Sequence, residues 1–201
     1  MLYRICLLPK FKILFITLLA ATMTTMDMRI ARTEDTDKVS SILQEAARWL
    51  EHKGTPLWQA DELLPNKIRA EVASAQFWLA EVDGSIAGCV RYQTEDRLFW
   101  PDVPPGESAF IHRLVVRRAF AGGRISSAII NWAKHRAHSQ GKSFLRLDCE
   151  ARTEKLCKVY EAAGFRKRDE RQVGPYLVAR FEFDLAANKA IQADAFGAAD
   201  F

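Results

Sequence analysis

The sequence predicts an α+β fold with a mixed central sheet, and three observations carry the prediction. Apolar or alternating runs of strand length outnumber the helical runs. A two-residue hairpin signal, Asp83-Gly84, joins two of these runs early in the chain. Later, strand-like and helical runs alternate, which is the order of a strand-helix-strand crossover. The elements read β-α-α-β-β-β-α-β-α-β-β.

Met28 to Thr33 alternates and forms the first strand. Asp35 is placed to cap the next helix, where Val39, Ile42, Leu43, Ala46, Ala47 and Leu50 recur at helical spacing through about Lys53. Gly54-Thr55-Pro56 stops it. Asp61 to Ala75 reads as a second amphipathic helix, with Leu64, Ile68 and Val72 on one face and Pro65 near its first turn. Strands Gln76 to Val82 and Ser85 to Tyr92 flank the hairpin turn. A loop holding Pro101, Pro104, Pro105 and Gly106 leads to a longer strand, Glu107 to Val116. Ala121 to Gly123 make a turn. Arg124 to Ser139 is helical, with Ile125, Ala128, Ile129, Trp132 and Ala133 as its apolar stripe, and Gly141 ends it. Ser143 to Asp148 is a strand. Thr153 to Ala163 is a helix closed by Gly164. Phe165 to Glu170 and Tyr176 to Leu185 are the last strands, and 186–201 is an alanine-rich tail.

A length of 201 residues fits one domain with tails, and 49% hydrophobic residues excludes global disorder. The formal net charge of +4 is too modest to imply a nucleic-acid partner. Cys6, Cys89, Cys149 and Cys157 form no CxxC pair and no cluster with zinc spacing, so four free thiols and no metal site are expected. Near the amino terminus, Arg4, Lys10 and Lys12 precede the apolar run Ile13 to Ala21. The pattern is that of a secretory signal, and the run is shorter than the roughly 20 apolar residues of a spanning helix. The alternative is an upstream start chosen in error, since Met23, Met26 and Met28 follow. Residues 1–27 are therefore set aside as a leader, 28–185 form the domain, and no membrane partner is expected.

The segment Leu114 to Ser127 joins a strand to a helix through Gly122 and Gly123. A helix amino terminus exposes unpaired N–H groups and the positive end of the helix dipole, which together attract anions. Glycine lets a phosphate approach the backbone closely, and Arg124 adds a guanidinium able to clamp it.

This run resembles the cofactor motif of the GNAT family of N-acetyltransferases. In that family a Leu-x-Val strand end leads into Arg/Gln-x-x-Gly-x-Gly/Ala. Leu114, Val115 and Val116 match the strand end, Gly122 the first glycine, and Ile125 the helix-opening aliphatic residue. Ala121 stands in place of the Arg/Gln, Arg124 in place of the second glycine, and Ser126 in place of the last small residue. Tyr160-Glu-Ala-Ala-Gly-Phe165 resembles the family's Tyr-x-x-x-Gly-Phe. Thr153 stands where many members have an asparagine that contacts the cofactor. The resemblance covers about residues 28 to 185.

The resemblance implies a GNAT-type sheet, mixed but mostly antiparallel, with helices on both faces. It implies acetyl-coenzyme A as cofactor and direct transfer of acetyl to a small-molecule amine. Leu114, Val115, Val116, Ala121, Gly122, Gly123, Arg124, Ile125, Ser126, Ser127 and Thr153 would hold the cofactor, with backbone groups of Leu114 and Val116 pairing the pantetheine arm as a β-ladder would. Tyr160 matches the family's general acid. Glu107 and His112, on the strand leading to the turn, are candidate bases, His112 for its intrinsic pKa. Asp148 and Glu150, at the end of the fifth strand, are further candidates for the base, and deprotonation through water would need none of these residues. Coenzyme A supply implies a cytoplasmic location, with the leader a start-site artefact.

Trp49, Trp58, Trp78, Phe77 and Trp100 are candidates for a substrate cleft, against core packing for any one of them. Arg113, Arg117 and Arg118 form either a solvated face or contacts to cofactor phosphates. Two competing functions remain: a non-catalytic module that senses acyl-coenzyme A, and a nucleic-acid binder using Arg113 to Arg124. An exposed edge strand would allow a homodimer.

Overall fold

A computed structural model describes residues 26–122 and 124–188. Seven strands form one sheet in the order β1-β2-β3-β4-β5-β7-β6, and only β4 and β5 run parallel. The elements are β1 (Met26–Ile30), α1 (Thr36–His52), α2 (Pro65–Ala73), β2 (Phe77–Val82), β3 (Ser85–Gln93), β4 (Ser108–Val116), α3 (Ile125–Ser139), β5 (Phe144–Glu150), α4 (Glu154–Ala162), β6 (Arg166–Val173) and β7 (Tyr176–Asp184). The expected α+β class, the element order and the mostly antiparallel sheet are all present.

Side chains of β2 alternate between two cores. Phe77 and Leu79 join Val39, Ile42 and Leu43 of α1 and Ile68 and Val72 of α2. Trp78 and Ala80 join Ile129, Ile130 and Ala133 of α3 and Tyr160 of α4. Both faces of the sheet are thus covered, which explains why β2 reads as a near-continuous apolar run rather than an alternating one. Lys134 of α3 donates from Nζ to the Ala163 carbonyl at 2.7 Å, tying α3 to the end of α4.

Four local expectations are corrected. The first strand begins at Met26, because Met26 and Asp27 pair with Val82 and Glu81, so residues 26 and 27 belong to the domain. Asp35 makes no side-chain cap to α1. Its carboxylate accepts from Arg29 Nη1 at 2.6 Å, Arg32 N at 3.0 Å and Lys38 Nζ at 2.8 Å. Those donors, Arg29 foremost, hold its pKa well below the usual carboxylate range. The second helix starts at Pro65, preceded by a 3-10 turn over Ala60–Leu63. Proline lacks an N–H and clashes with a preceding helical turn, so it opens the helix rather than sitting inside it. Leu64 is consequently exposed, and Leu63 is the buried residue. At the hairpin, Asp83 and Gly84 both have positive φ, +48° and +75°, as a type I′ turn requires.

The feature that shapes the site lies in β4. Between the pairs Cys89↔Val115 and Arg91↔His112, β3 advances by two residues and β4 by three. One extra residue is therefore inserted in β4, and Arg113 takes a left-handed φ of +48°. Before this bulge, Ala109 and Ile111 pack in the α3/α4 core. After it, Leu114 and Val116 do so, while Val115 faces α1 and α2. The bulge flips the alternation. Pairing of β4 with β5 covers only Ser108–Ile111 against Phe144–Leu147, and past that point the two strands part.

Candidate active site

A cleft of about 630 Å³ opens where β4 and β5 separate. It reaches both faces of the sheet. Leu156, Tyr160 and Cys149 line it on the α4 side, and Trp49, Trp58 and Glu71 on the α1/α2 side. Leu114, Val115 and Val116 form its edge along β4. Their β5-facing backbone has no strand partner, because the ladder stops at Ile111.

Tyr160 is 8% exposed, and its ring packs on Phe165 and Phe181 at 6.2 and 6.0 Å between centroids. Burial raises its pKa above the ordinary phenol value, helped by Cys149 and Asp148 nearby. It is a neutral phenol, and it lies on the cleft wall. Cys149 and Cys157 lie with sulfurs 3.8 Å apart as free thiols. Cys89 is also free, and its thiol is pushed up to about 12 by burial. Cys6 lies outside the described residues.

His112 sits at the mouth of the split between two carboxylates. Its Nε2 is 3.1 Å from Asp96 Oδ2 and its Nδ1 is 3.3 Å from Asp148 Oδ1. Burial alone would lower its pKa, but the two carboxylates outweigh burial and lift it to about 9. The two carboxylates thus favour the protonated ring. The ligand-type atoms of Asp96, His112 and Asp148 all lie within 4.8 Å of one another. The carboxylates approach opposite ring nitrogens, however, so the geometry is that of an ion-pair triad and not of three ligands converging on one ion. Asp96 was not among the expected site residues. Its Oδ1 accepts the N–H groups of Leu98 and Phe99, both at 3.0 Å, a local pattern typical of aspartate in turns. Its contact to His112 is long-range and leaves no mark in the sequence.

Other expected site residues fall elsewhere. Glu107 precedes β4 at the paired end of the strands, and its carboxylate accepts from Arg146 Nη1 at 2.8 Å. It takes no part in the cleft wall. The arginine cluster turns toward α1 and α2. Arg113 donates to Glu71 at 2.9 Å and Arg117 to Glu45 at 2.7 Å, while Arg118 stacks over the Trp49 ring at 4.4 Å. Of the candidate aromatics, Trp49 and Trp58 line the cleft. Phe77, Trp78 and Trp100 are core, exposed by 0%, 8% and 1%.

At the turn before α3, Ala121, Gly122 and Arg124 are exposed, Ile125 and Ser126 are half-buried, and Ser127 is exposed; Gly123 lies outside the described residues. Gly122 has φ +81°, with nothing within 4 Å of where a Cβ would stand. The first helical bond of α3 runs from Ala128 N to Arg124 O at 2.9 Å, so the N–H groups of Ile125, Ser126 and Ser127 have no helical acceptor. Thr153 is the residue before α4 and makes no side-chain cap.

The structure thus has a split parallel strand pair and a helix amino terminus whose first N–H groups have no helical acceptor, and comparison with known proteins gives the class. The chain belongs to the acetyltransferase (GNAT) family, whose model matches residues 39–165. It is similar to the uncharacterized N-acetyltransferase YesJ of Bacillus subtilis, 29% identical over 162 residues, covering 77% of this chain and 87% of that one. Two solved structures share the fold. One is yncA, a putative acetyltransferase of Salmonella typhimurium with acetyl-CoA, at TM-score 0.61 and 14% identity, covering 82% of this chain and 96% of that one. The other is aminoglycoside acetyltransferase AAC(6')-Ib with coenzyme A and kanamycin, at TM-score 0.68 and 12% identity, covering 85% and 99%. Among the described residues, no helix is long and apolar enough to cross a membrane.

Proposed function

We propose that this chain is an acetyl-CoA-dependent N-acetyltransferase that moves acetyl to the primary amine of a small-molecule or amino-acid-like substrate by direct attack. The observation that carries this reading is the cleft at the β4/β5 split, with a buried phenol on one face and an aromatic, carboxylate-bearing wall on the other. The residues fit coenzyme A. The unpaired backbone edge after Ile111 suits the amides of a pantetheine arm. The free N–H groups at the start of α3 and the left-handed Gly122 suit a pyrophosphate. When bound, acetyl-CoA supplies an activated thioester.

The protein's own contributions are positional and protolytic. The Leu114–Val116 edge would orient the bound arm along the split, and Trp49 and Trp58 would cover the acceptor from water. Tyr160 would hold the proton destined for the leaving sulfur. Its raised pKa keeps it protonated at working pH, the state a donor needs, though it makes the phenol a weaker acid. A cytosolic location follows from coenzyme A supply. The test is to incubate the protein with acetyl-CoA and a mixed pool of primary amines, following thioester loss and identifying acetylated products by mass spectrometry. Amine-dependent thioester loss is expected. Coenzyme A binding with no turnover on any amine would favour a sensing module instead.

A further inference from the structure

We infer that Cys149 and Cys157 are a redox-modification site: hydrogen peroxide closes them into a disulfide that ties α4 to β5 on the wall of the cleft. The thiol pair stands independently of the acetyltransferase reading. Its effect on coenzyme A and turnover rests on that reading.

Contact comes first. The two sulfurs stand 3.8 Å apart, and both thiols are free. A disulfide spans about 2.05 Å, so closure asks the sulfurs to approach by under about 2 Å. Cys149 belongs to β5 and Cys157 to α4, with the turn 151–153 between the two elements. The bond would therefore cross from strand to helix. The far end of α4 is held, since Lys134 Nζ donates to the Ala163 carbonyl and Phe165 packs on Phe183 of β7. At the near end Thr153 makes no side-chain cap, and the Cys157 thiol reaches the Ala151 carbonyl at a loose 4.0 Å. The first turns of α4 are the part that closure draws in.

Exposure divides the roles. Cys157 is half-buried, while Cys149 is 7% exposed and lines the cleft. Cys89 is the contrast: it is fully buried in the α1/α2 core and touches neither sulfur. Peroxide from solvent meets Cys157 first. Burial, with Cys157 beside it, raises the Cys149 pKa, which keeps Cys149 a thiol and suits it to the resolving step.

The chemistry balances. The Cys157 thiolate attacks one peroxide oxygen, so an S–O bond forms and the O–O bond breaks. The departing hydroxide takes up the proton that Cys157 shed and leaves as water. Cys157 is then a sulfenic acid. The Cys149 sulfur attacks the Cys157 sulfur, an S–S bond forms and the S–O bond breaks. The second hydroxide leaves as water with the Cys149 proton. Two thiols lose two hydrogens, and one peroxide is reduced to two waters.

The consequence falls on the cleft. Leu156 and Tyr160 line it from α4, on either side of Cys157 in the chain, and Cys149 lines it from β5. Cys157 and Tyr160 are three residues apart and share one helix face. Both pack in the core that holds Cys149. Drawing Cys157 onto Cys149 moves that face toward β5 and narrows the cleft on the α4 side.

The test treats the full chain with hydrogen peroxide, then reads intact mass, tryptic peptides, coenzyme A calorimetry and acetyl-CoA turnover with the amine pool. Wild type should lose two hydrogens. Trypsin cuts at Arg152 and Lys155, so the link should join two peptides, one holding Cys149 and the other Cys157. A shift on the order of 1 Å can cost about a hundred-fold in a positioned site, so coenzyme A affinity and turnover should each fall by about ten-fold or more. Dithiothreitol should restore both. Cys157→Ser and Cys157→Ala should form no link and should keep their coenzyme A affinity under the same peroxide. Sulfinic acid at Cys157 without a link, or a link to another cysteine, overturns the site. Equal coenzyme A affinity in linked and reduced wild type, or an equal loss in the Cys157 variants, overturns its effect on the cleft. Coenzyme A binding without turnover on any amine would sink the acetyltransferase reading, while mass and calorimetry would still decide the thiol pair.

Discussion

His112 Nδ1 stands 3.3 Å from Asp148 Oδ1 across the point where β4 and β5 lose their pairing, and its Nε2 stands 3.1 Å from Asp96 Oδ2. This pair of contacts gives the fold a pH signature. The histidine is lifted to about 9, above the ordinary unfolded value of about 6.5. A group whose folded pKa is raised stabilises the fold fully below its unfolded pKa and loses that contribution as pH climbs through the folded one. The window runs from about 6.5 to about 9. Wild type should therefore melt well above His112→Gln at pH 6, and the gap should close by pH 10. A gap that widens with pH in thermal melts would show that His112 is buried as the neutral ring.

Tyr160→Phe keeps the ring packing on Phe165 and Phe181 and removes only the hydroxyl. Coenzyme A affinity and Tm should change little. Turnover should fall by roughly ten- to ten-thousand-fold, the range for losing a general acid. Steady-state kinetics and a melt on one preparation check both. Wild-type turnover would take Tyr160 out of the catalytic role.

Gly122 has a left-handed backbone and open space around it, so a side chain there meets strain rather than a clash. A left-handed non-glycine residue costs roughly 1–2 kcal/mol. Gly122→Val should relieve that strain by moving the turn out of the left-handed region, and coenzyme A binding should then weaken about ten-fold, which corresponds to about 1.4 kcal/mol. Gly122→Asn tolerates the conformation and should bind close to wild type. Calorimetry separates the two, and equal affinity for all three proteins would place the phosphate cradle elsewhere.

Gly88 presents the opposite case. A Cβ there would press into the Val115 carbonyl oxygen, well inside van der Waals contact, at the β3/β4 pair beside the bulge. Gly88→Ala should cost about 1–3 kcal/mol as overpacking. For a chain of this size that lowers Tm by roughly 2–4 °C per kcal/mol. An unchanged melt would mean that β3 and β4 slide apart freely, contrary to the ladder.

The boundary at the first strand can be tested by truncation. A chain beginning at Met26 keeps the pairs Met26↔Val82 and Asp27↔Glu81, and a chain beginning at Met28 loses them. Met26 also packs against the α3/α4 core. The shorter chain should still fold but melt lower than the longer one. Equal melts would show that these two residues add nothing to the edge of the sheet.

Much of the architecture is written in local pattern. Apolar spacing gave Val39, Ile42 and Leu43 to one face of α1, Asp83-Gly84 to a hairpin, and Gly122 to a turn before a helix, because each depends on residues a few positions apart. The family resemblance rested on the same kind of short segment. Only the tertiary structure decided which of these residues meet at the cleft. The extra residue at Arg113 is invisible in the segment Ile111 to Val116, since a bulge is defined by the partner strand. His112, in regular register just before it, meets Asp96 and Asp148, which come from a loop and from a strand across the split. Glu107 and His112 looked equivalent on one strand, yet pairing with β5 closes one end of that strand and leaves the other open. Arg113, Arg117 and Arg118 looked like a free basic face, and they find Glu71, Glu45 and Trp49 on the covering helices. Periodicity reports which face of an element is apolar. Charge pairing and strand register depend on distant segments, and folding brings those segments together only in the finished structure.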